Sequence, residues 1–425
     1  MRGAAGDVSS VGCRVRDSAI PRHSIREMTA PARVPTFVAN IGPLLSARSG
    51  RCGRCRVSGT RPRRPLPVGL FLLAMACGPA APAATTTIPP TSLVVASGPP
   101  TAIVAASGSP TQVTLQTFDV PKGSGPHDVA PAVDGGVWYT AQLAGKLGWL
   151  DPKTGQTKEI PLGAGSAPHG VIVGPDGAPW ITDGGLNAIV RVDPKTNEIS
   201  VFRLPGQNVN LNTAVFDVTG KLWWTGQDGW YGSLNVGPPG SPGAGGTGRE
   251  SNVGVYQAPR GAGPYGITAA RSTAFEAHAF AVYYASLAGS YLGRVDIATG
   301  ETTVIEPPTK GQGARRAWSD STGVIWVSEW NAGQLGRYDP KTDQWKEWKL
   351  PGARPMAYAV YVDGFDVVWL TDWGANALVR FDPRTEAFTA FPFSLPNANV
   401  RQLLGRPGEV WGAMSGQDKL VVARI

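Results

Sequence analysis

A tryptophan recurs along this chain at a nearly constant step, and this repeat constrains the fold more than any other feature. Successive copies lie 42, 43, 103, 43 and 42 residues apart, at Trp138, Trp180, Trp223, Trp326, Trp369 and Trp411. The long interval holds one more copy, because residues 282–296 align without a gap on 137–151 and put Tyr283 in the tryptophan position. Seven copies of a strand-like unit with a period of about 40–45 residues predict a β-propeller, in which no repeat buries its apolar face alone.

Each repeat follows one plan of four short strands, which predicts a four-stranded antiparallel blade. An apolar strand leads through a Gly-containing turn into a strand with Trp-x-Thr/Ser, and a third strand ends at Asp-Pro-Lys/Arg-Thr, as at Asp151 and Asp193. Asp followed by Pro favours a type I turn, because Pro presets φ and the Asp side chain caps the turn. The tryptophans are interpreted as core residues between neighbouring blades, where a wide aromatic ring buries the most area.

The two ends of the repeat region predict how the ring closes. Residues 420–425 match a third strand, so the seventh blade lacks its fourth. Residues 115–121 match a fourth strand and precede the first blade. We therefore expect this segment to complete the last blade, because the pairing removes two open sheet edges. An all-β, seven-bladed propeller is expected over residues 113–425.

The formal charge of +8 does not describe the repeat region. Residues 1–77 hold 13 arginines, no lysine and 3 acidic residues, so the remaining 348 residues carry a net charge of −2. The high isoelectric point therefore gives no support for nucleic-acid binding. All four cysteines lie before residue 78, which excludes a disulfide or a thiolate site in the repeats.

The N-terminal part of the chain has the pattern of an export segment. Residues 61–64 are basic and precede a short apolar run at 68–76 and then Cys77, which predicts a secretion signal over residues 57–77. The small residues before Cys77 resemble a lipobox, so lipidation of Cys77 and simple secretion are both open. Residues 1–56 are expected to be non-structured or a mis-assigned N-terminus, and residues 78–112 a disordered Ala/Pro/Thr/Ser linker. The propeller is thus expected outside the cytoplasm, either secreted or lipid-anchored to the cell envelope.

Three recurring patterns carry a resemblance to a known family: Pro-His-Gly-like blade starts, Trp-x-Thr-Asp/Glu strands and Asn-x-Ile/Leu-x-Arg third strands. Over about 118–425 the chain resembles the streptogramin lyases (virginiamycin B lyases), and residues 369–380 are especially close to the family pattern. The resemblance implies a seven-bladed propeller that opens a cyclic depsipeptide by elimination, with Mg²⁺ at the central mouth.

The resemblance also implies catalytic histidines at the starts of the last two blades and a glutamate after the last tryptophan. This chain has Met356 and Val400 where those histidines would stand, and residues 412–415 after Trp411 contain no acid. The family's proton-transfer and metal-ligand residues therefore do not carry over to these positions.

The blade-start position lies about eleven residues before the tryptophan of a regular blade and is expected to line the central mouth. Its seven occupants are taken as His127, His169, Asn212, Tyr265, Arg315, Met356 and Val400. Histidine suits proton transfer near neutral pH, so His127 and His169 are the candidate catalytic residues. Acids follow the tryptophan by three residues at Asp183, Glu329 and Asp372, and Asp183 is the candidate metal ligand. The alternative is that both histidines bond to neighbouring backbone and the acids cap loops.

Two classes of function follow from such a mouth. The first is a metal-assisted C–O lyase acting on a small cyclic ester or depsipeptide, with Mg²⁺ implied by the resemblance only. The second is a non-catalytic propeller that binds a peptide, a glycan or a protein of the cell envelope. A gluconolactonase-like hydrolase is a weaker third reading. We expect a monomer that binds no nucleic acid and meets a membrane only through a lipid anchor.

Overall fold

The computed structural model describes residues 112–237, 252–270 and 281–425. The predictions for residues 1–56 and 57–77, for Cys77 and for nearly all of the linker 78–112 lie outside the described residues. Within those ranges the helical structure is a single 3-10 turn at Gln142–Ala144. No helix among the described residues has the length and apolar character needed to cross a membrane.

The described residues form seven four-stranded antiparallel sheets, which confirms the predicted all-β, seven-bladed propeller. Strand β1 (Thr114–Asp119) precedes the first blade. The strands of blades 1 to 3 are β2 (Pro126–Pro131), β3 (Val137–Ala141), β4 (Lys146–Leu150), β5 (Thr157–Pro161), β6 (Pro168–Val173), β7 (Pro179–Asp183), β8 (Ala188–Val192), β9 (Ile199–Arg203), β10 (Leu211–Phe216), β11 (Leu222–Gly226), β12 (Trp230–Leu234) and β13 (Val253–Gln257).

Blades 4 to 7 continue the same plan. Their strands are β14 (Pro264–Ala269), β15 (Ala281–Ser286), β16 (Tyr291–Asp296), β17 (Thr302–Ile305), β18 (Ala314–Ser319), β19 (Ile325–Glu329), β20 (Gln334–Asp339), β21 (Gln344–Lys349), β22 (Ala357–Val362), β23 (Val368–Asp372), β24 (Ala377–Asp382), β25 (Ala387–Pro392), β26 (Val400–Arg406), β27 (Glu409–Met414) and β28 (Lys419–Arg424). The first strand of each blade contacts the first strands of both neighbouring blades, so β2, β6, β10, β14, β18, β22 and β26 surround the centre.

The N-terminal strand closes the ring as predicted. Strand β1 pairs antiparallel with β28, from Thr114 opposite Arg424 to Asp119 opposite Lys419, and is the outermost strand of blade 7. Its one buried side chain, Phe118, stacks on Trp411 with ring centroids 5.5 Å apart. The closing contact therefore combines a strand ladder with an aromatic pair that joins the two ends of the propeller.

The repeated tryptophans lie between blades, as their wide rings suggest. Trp411 of blade 7 packs in one cluster with Val129 and Tyr139 of blade 1, and Trp369 of blade 6 packs with Leu403 of blade 7. Every repeated tryptophan, and Tyr283 in its place, is at most 5% exposed. Burying one such aromatic side chain is worth roughly 1.5–3 kcal/mol, so the seven clusters stabilise the ring as a unit.

An aspartate in the first hairpin of a blade locks the tryptophan in place. In blade 6 the Oδ1 atom of Asp363 accepts the N–H groups of Phe365 (2.8 Å) and Val367 (3.1 Å), which caps the turn. Its Oδ2 atom accepts the indole N–H of Trp369 at 2.8 Å. The same side chain-to-indole bond is made by Asp217 and Asp320 in blades 3 and 5. One carboxylate thus sets both the turn and the ring that the next blade packs against.

Candidate functional site

The second residue of each innermost strand occupies one position around the centre of the ring. Strand pairing makes His127, His169, Asn212, Tyr265 and Arg315 equivalent, as expected. In blades 6 and 7 the pairing Val360 opposite Leu370, and Leu403 opposite Gly412, gives this position to Tyr358 and Arg401.

The assignment of Met356 and Val400 to this position is therefore wrong. Met356 precedes β22, and the residue eleven before Trp369 is Tyr358. Val400 does lie eleven residues before Trp411, but the first hairpin of blade 7 is one residue shorter, so Arg401 takes the place. The correction changes the chemistry of the centre. The residue at this position is polar or aromatic in all seven blades, so no side of the centre is apolar.

The hydroxyl in the Trp-x-Thr/Ser motif positions the innermost strand of the next blade. Thr140 Oγ1 donates to the carbonyl oxygen of His169 (2.9 Å) and accepts the N–H of Asp128 (3.0 Å). Thr182 makes the same two bonds, to the carbonyl of Asn212 and from the N–H of Gly170. The pattern recurs at Thr225, Ser328 and Thr371. The motif therefore sets where the central side chains lie.

Two histidines and an aspartate form one buried cluster on one side of the ring. His127 and His169 lie against each other with ring centroids 3.7 Å apart, and they are 2% and 7% exposed. His127 Nδ1 is 2.8 Å from Asp128 Oδ1, so Nδ1 carries the proton and donates it to the carboxylate. The Nε2 atom of His127 is then a lone-pair acceptor, and it has no partner among the described residues. A carboxylate-oriented imidazole of this kind is suited to act as a base.

Arg316 connects this group to the opposite side of the ring. Its guanidinium donates to Asp128 Oδ1 (3.3 Å) in blade 1 and to Thr213 Oγ1 in blade 3. Thr213 Oγ1 donates in turn to Asn212 Oδ1 (2.6 Å), which leaves the Asn212 amide N–H to donate to His169 Nε2 at 3.3 Å. His169 therefore carries its proton on Nδ1, an atom with no partner within the described part of the chain.

Burial and nearby cations keep both histidines neutral. Desolvation is the largest cause that moves the pKa of His127 well below its usual value, and Arg401, Arg316 and Arg315 add to the shift. The pKa of His169 is likewise well below its usual value, first because the ring is buried and then because of the neighbouring His127. Burial raises the pKa of Asp128, and Arg316 opposes that rise. Both imidazoles are therefore neutral at neutral pH, but only His127 Nε2 has a free lone pair, because His169 Nε2 accepts the Asn212 amide N–H.

A second cluster of two arginines and two tyrosines lies on the other side of the centre. The Arg315 guanidinium carbon is 3.7 Å from the centroid of the Tyr358 ring, and 4.6 Å from those of Tyr265 and Trp330. Arg315 donates to the Tyr265 hydroxyl at 3.0 Å, and the Tyr265 and Tyr358 hydroxyls are 2.7 Å apart. Arg401 reaches the Tyr358 hydroxyl at 3.4 Å. The guanidinium groups thus surround one phenol.

The two phenols differ in acidity. Burial and the neighbouring Tyr358 raise the pKa of Tyr265 to about 12. Burial also acts to raise the pKa of Tyr358, but Arg315, Arg316 and Arg401 together outweigh it and leave the pKa below its usual value. Tyr265 is therefore the donor of the hydrogen bond between them. The Tyr358 hydroxyl proton is therefore not used in that bond, and a Tyr358 phenolate would be stabilised by three cations.

The loop acids do not join this centre. Asp183 accepts hydrogen bonds from Ser166 Oγ (2.5 Å), Ala167 N (2.9 Å) and Leu186 N (3.0 Å), so it caps the start of its own blade. Asp372 accepts bonds from the backbone N–H of 356, 374 and 375 in the same way. Glu329 is fully buried beside Gln334, and burial, with a smaller effect of Glu347, raises its pKa to about 9. The capping alternative holds for Asp183 and Asp372.

The donor set at the centre does not fit Mg²⁺. This ion prefers several oxygen ligands and retained waters, usually with one or two carboxylates. Here the carboxylate is Asp128, whose Oδ1 is already bonded to His127 and Arg316 and whose Oδ2 has no partner among the described residues. The donors nearest to it are imidazole nitrogens. The ligand atoms of His127, Asp128 and His169 lie within 4.8 Å of one another, a nitrogen-rich set that better suits a transition metal. Three guanidinium groups nearby oppose any cation.

Sequence reasoning missed Asp128, Arg316, Tyr358 and Arg401. The first two follow His127 and Arg315 directly in the chain, and a β-bulge in this strand lets consecutive residues both reach the centre. Charged residues in an otherwise apolar innermost strand were the available signal, because buried charges need partners. Tyr358 and Arg401 differ from the expected residues because strand pairing puts the blade-start position two residues after Met356 and one residue after Val400.

Comparison with known proteins gives likeness in structure alone. No sequence-family model matches the chain, and no curated protein sequence does. Virginiamycin B lyase from Staphylococcus aureus superposes with a TM-score of 0.65 at 20% identity, over 74% of this chain and 100% of that chain. A streptogramin B lyase structure gives a TM-score of 0.64 at 22% identity, over 73% and 97%.

More distant neighbours share the same architecture. The extracellular domain of a protein described as a hybrid two-component system from B. thetaiotaomicron gives a TM-score of 0.55 at 15% identity, over 73% of this chain and 42% of that chain. All these identities lie below the range in which activity follows from likeness. What the comparisons do establish is that the repeat region has a streptogramin lyase-like, seven-bladed propeller fold.

Proposed function

We propose that this chain is an extracytoplasmic C–O lyase whose central mouth removes a proton next to a carbonyl group and expels an oxygen leaving group. The observation that carries the proposal is the Asp128–His127 pair at 2.8 Å, which fixes a neutral imidazole with Nε2 free to accept a proton. Cyclic esters and depsipeptides are the substrate class suggested by the streptogramin lyase-like fold.

The proton movements follow from the hydrogen bonds of the site. His127 Nε2 takes the proton from the carbon next to the carbonyl, the bond between the adjacent carbon and oxygen breaks, and a carbon–carbon double bond forms. The leaving oxygen takes the hydroxyl proton of Tyr358, whose own oxygen accepts the bond from Tyr265. The proton on His127 then returns through water to the Tyr358 phenolate. Guanidinium groups of Arg315 and Arg316 stabilise the negative charge that develops on the carbonyl oxygen.

This chain's residues perform these roles without the Mg²⁺ that the fold suggests. The central oxygen donors do not fit that ion, so no step passes through it. Positive charge at the site comes instead from guanidinium groups held against Tyr358, Tyr265 and Trp330. Fixed cations in a water-poor site are worth more to a developing anion than the same cations in bulk water.

The test is a turnover assay on cyclic and linear ester panels, read by the ultraviolet absorbance and mass of an unsaturated product. We expect elimination, with His127→Gln and Tyr358→Phe each reducing kcat by at least about 100-fold. Lys195→Ala, at an exposed turn, serves as the matched control and should leave turnover unchanged. Product masses that show added water instead of an alkene would mean that the chain is a hydrolase and not a lyase.

The pH dependence gives a second readout. A base must be deprotonated to act, and the pKa of His127 lies well below 6.5 because of burial and three arginines. We therefore expect turnover to persist below pH 6.5 and to fall only as the pH drops through the lowered pKa. An acid limb centred at or above pH 6.5 would contradict the assignment of His127 as the base.

A non-catalytic binding propeller is the second candidate, and the burial of the histidines favours it. His127 is 2% exposed and Arg316 crosses the centre beside it, which restricts access to the base. The half-buried Trp330 and Trp373 would then form the contact surface for an envelope peptide or glycan. Capture of such a ligand that survives His127→Gln, without any product, would favour this function.

The location outside the cytoplasm is supported by the export pattern at residues 57–77 and by structural neighbours that are extracellular domains. Cell fractionation with the full chain tests it. We expect the propeller in the envelope or medium fraction, and Cys77→Ser should move it from the envelope to the medium if lipid is attached. Recovery of the unprocessed chain from the cytoplasm would contradict this part of the proposal.

A further inference from the structure

We propose that the central mouth binds its ligand through a free carboxylate held between Arg315 and Arg401, so that the substrate is an organic acid. The inference rests on the proposed function for the position of the substrate at the mouth. It narrows the substrate class from any ester to one that carries a negative charge.

The first support is an excess of positive charge. Arg315, Arg316 and Arg401 act together on the acidity of Tyr358 and His127, whereas the acidic group that faces them among the described residues is Asp128. Both histidines are neutral. Three guanidinium groups against one carboxylate leave a net charge of about +2 in a largely desolvated site, and buried charges are normally paired.

The second support is the set of donor atoms left without partners. Arg315 Nε and Arg316 Nε are both buried and make no hydrogen bond within the described residues. Arg401 uses Nε on Ser415 (2.8 Å) and one terminal nitrogen on Tyr358, which leaves its other terminal nitrogen unused. Unused guanidinium donors match the acceptor-only oxygens of a carboxylate.

The third support is the aromatic surroundings of the two arginines. The Arg315 guanidinium carbon lies 3.7 Å from the centroid of the Tyr358 ring, and 4.6 Å from those of Tyr265 and Trp330. The Tyr265 and Trp330 rings stand nearly perpendicular to Tyr358, at 80° and 88°, so aromatic surface meets Arg315 from more than one side. Aromatic contacts hold a guanidinium in place without using its N–H donors. Arg401 lies over Trp373 at 5.2 Å, and the two guanidinium groups flank the Tyr358 phenol, where their unused donors can bind a small anion.

A carboxylate at this place also fits the chemistry. A carbon acid next to a carboxylate loses its proton only if the charge on the carboxylate is neutralised, and two guanidinium groups supply that neutralisation. The proton taken by His127 Nε2 would be the one next to this carboxylate. The bond cleaved remains the alkyl carbon–oxygen bond of the ester, and the products are an alkene and a carboxylic acid whose oxygen takes the Tyr358 proton.

The test uses matched acid and neutral probes on the full chain carrying His127→Gln, which stops turnover. One pair is galacturonic acid and galactose, and the other is an N-acetylated dipeptide and its C-terminal amide. Binding is measured by titration calorimetry and by tryptophan fluorescence. We expect an acid to bind at least about tenfold more tightly than its neutral partner, with weaker binding at higher salt. The pair that binds identifies the source of the carboxylate, either an acidic sugar or a peptide end.

Arginine variants give the decisive comparison. Arg315→Gln and Arg401→Gln should each weaken acid binding by at least about tenfold while leaving any binding of the neutral probe unchanged. The matched control is Arg406→Gln, whose guanidinium pairs with Glu409 at 2.7 Å in the first hairpin of blade 7, away from the blade-start residues. Melting curves of all variants check that each one folds.

The outcomes separate this inference from the proposed function. Acid binding that depends on both arginines, without an alkene product from the wild-type chain, keeps the carboxylate site and removes the lyase. Elimination on neutral esters that is as fast as elimination on the matched acids keeps the lyase and overturns the carboxylate site. Equal binding of acid and neutral probes, or no binding of any acid, also overturns it.

Discussion

Asp128 of blade 1 is paired with Arg316 of blade 5 at 3.3 Å, across the centre of the ring. Both side chains are almost fully buried, at 0% and 4% exposure. The pair belongs to blades that are not neighbours, so it ties together strands that the sheet ladders do not connect. It also fixes Asp128, which in turn orients the imidazole of His127.

Breaking this pair should lower stability strongly, because the remaining partner becomes a buried charge without a counterion. Arg316→Met is expected to lower the free energy of unfolding by about 3–5 kcal/mol, since Asp128 loses its cation in a desolvated site. Adding Asp128→Asn should recover a large part of that loss. Urea unfolding measures both, with Arg191→Met as control, because Arg191 and Asp176 are partly exposed and should contribute about 1 kcal/mol or less. A single variant as stable as the double would contradict the buried pairing.

The hydroxyl groups of the Trp-x-Thr motif should contribute more to stability than their small size suggests. Thr182→Val keeps the volume but leaves the N–H of Gly170 and the carbonyl of Asn212 without a partner. We expect a loss of about 2 kcal/mol in unfolding free energy, and weaker turnover because Asn212 holds His169, whose ring packs 3.7 Å from that of the base His127. Thr389→Val, at an exposed position of β25, is the control. Equal melting temperatures for the two variants would argue against the positioning role.

The repeat predicts the fold well because its signal comes from packing. Seven copies of Trp138-like positions and an unmatched strand at 115–121 imply the blade count and the closure, and both are confirmed. The site is harder to predict from the sequence. The first hairpin of blade 7 is one residue shorter than in a regular blade, and this moves the blade-start position from Val400 to Arg401. The partnership of Asp128 with Arg316 spans 188 residues and has no local pattern, so only the closed ring reveals it.

Glu329 should make stability fall as pH rises. Burial raises its pKa to about 9 in the folded chain, against an ordinary value of 4.5. The stability that the protonated Glu329 contributes is therefore fully present below about pH 4.5 and is lost as the pH rises through about 9. The reason is that, between these two values, the Glu329 carboxyl ionises in the unfolded chain but stays protonated in the folded one. Glu329→Gln removes this dependence. Its melting temperature relative to wild type should rise between pH 5 and pH 9, by an amount worth on the order of a few kcal/mol at pH 9.

Exposed Glu198→Gln provides the control for that series, because its carboxyl lies in solvent. That variant measures the effect of removing a surface carboxyl at each pH. A profile for Glu329→Gln that matches the Glu198→Gln profile would mean that the Glu329 carboxyl ionises normally in the folded chain.

Magnesium should have no effect on this propeller. Asp183 is used by the backbone of its own loop, and Asp128 Oδ1 is used by His127 and Arg316. Asp128 Oδ2 is therefore the carboxylate oxygen left at the centre among the described residues, and one such oxygen is too few for this ion. We expect no saturable heat on titration with MgCl₂ and no change of melting temperature. Turnover, where found, should resist chelators. Saturable Mg²⁺ binding that Asp128→Asn abolishes would restore a metal-assisted mechanism.

The closing strand should control the stability of the whole ring. Phe118 is 7% exposed and stacks on Trp411, which itself packs against blade 1, so its loss affects both ends of the chain at once. Phe118→Ala is expected to cost about 3–5 kcal/mol, whereas Thr117→Ala, on the exposed side of β1, should cost little. Deleting residues 113–121 should remove the ladder with β28 as well and abolish the single cooperative unfolding transition. Calorimetry decides the matter, because a deletion variant with the wild-type transition would mean that blade 7 is stable without its fourth strand.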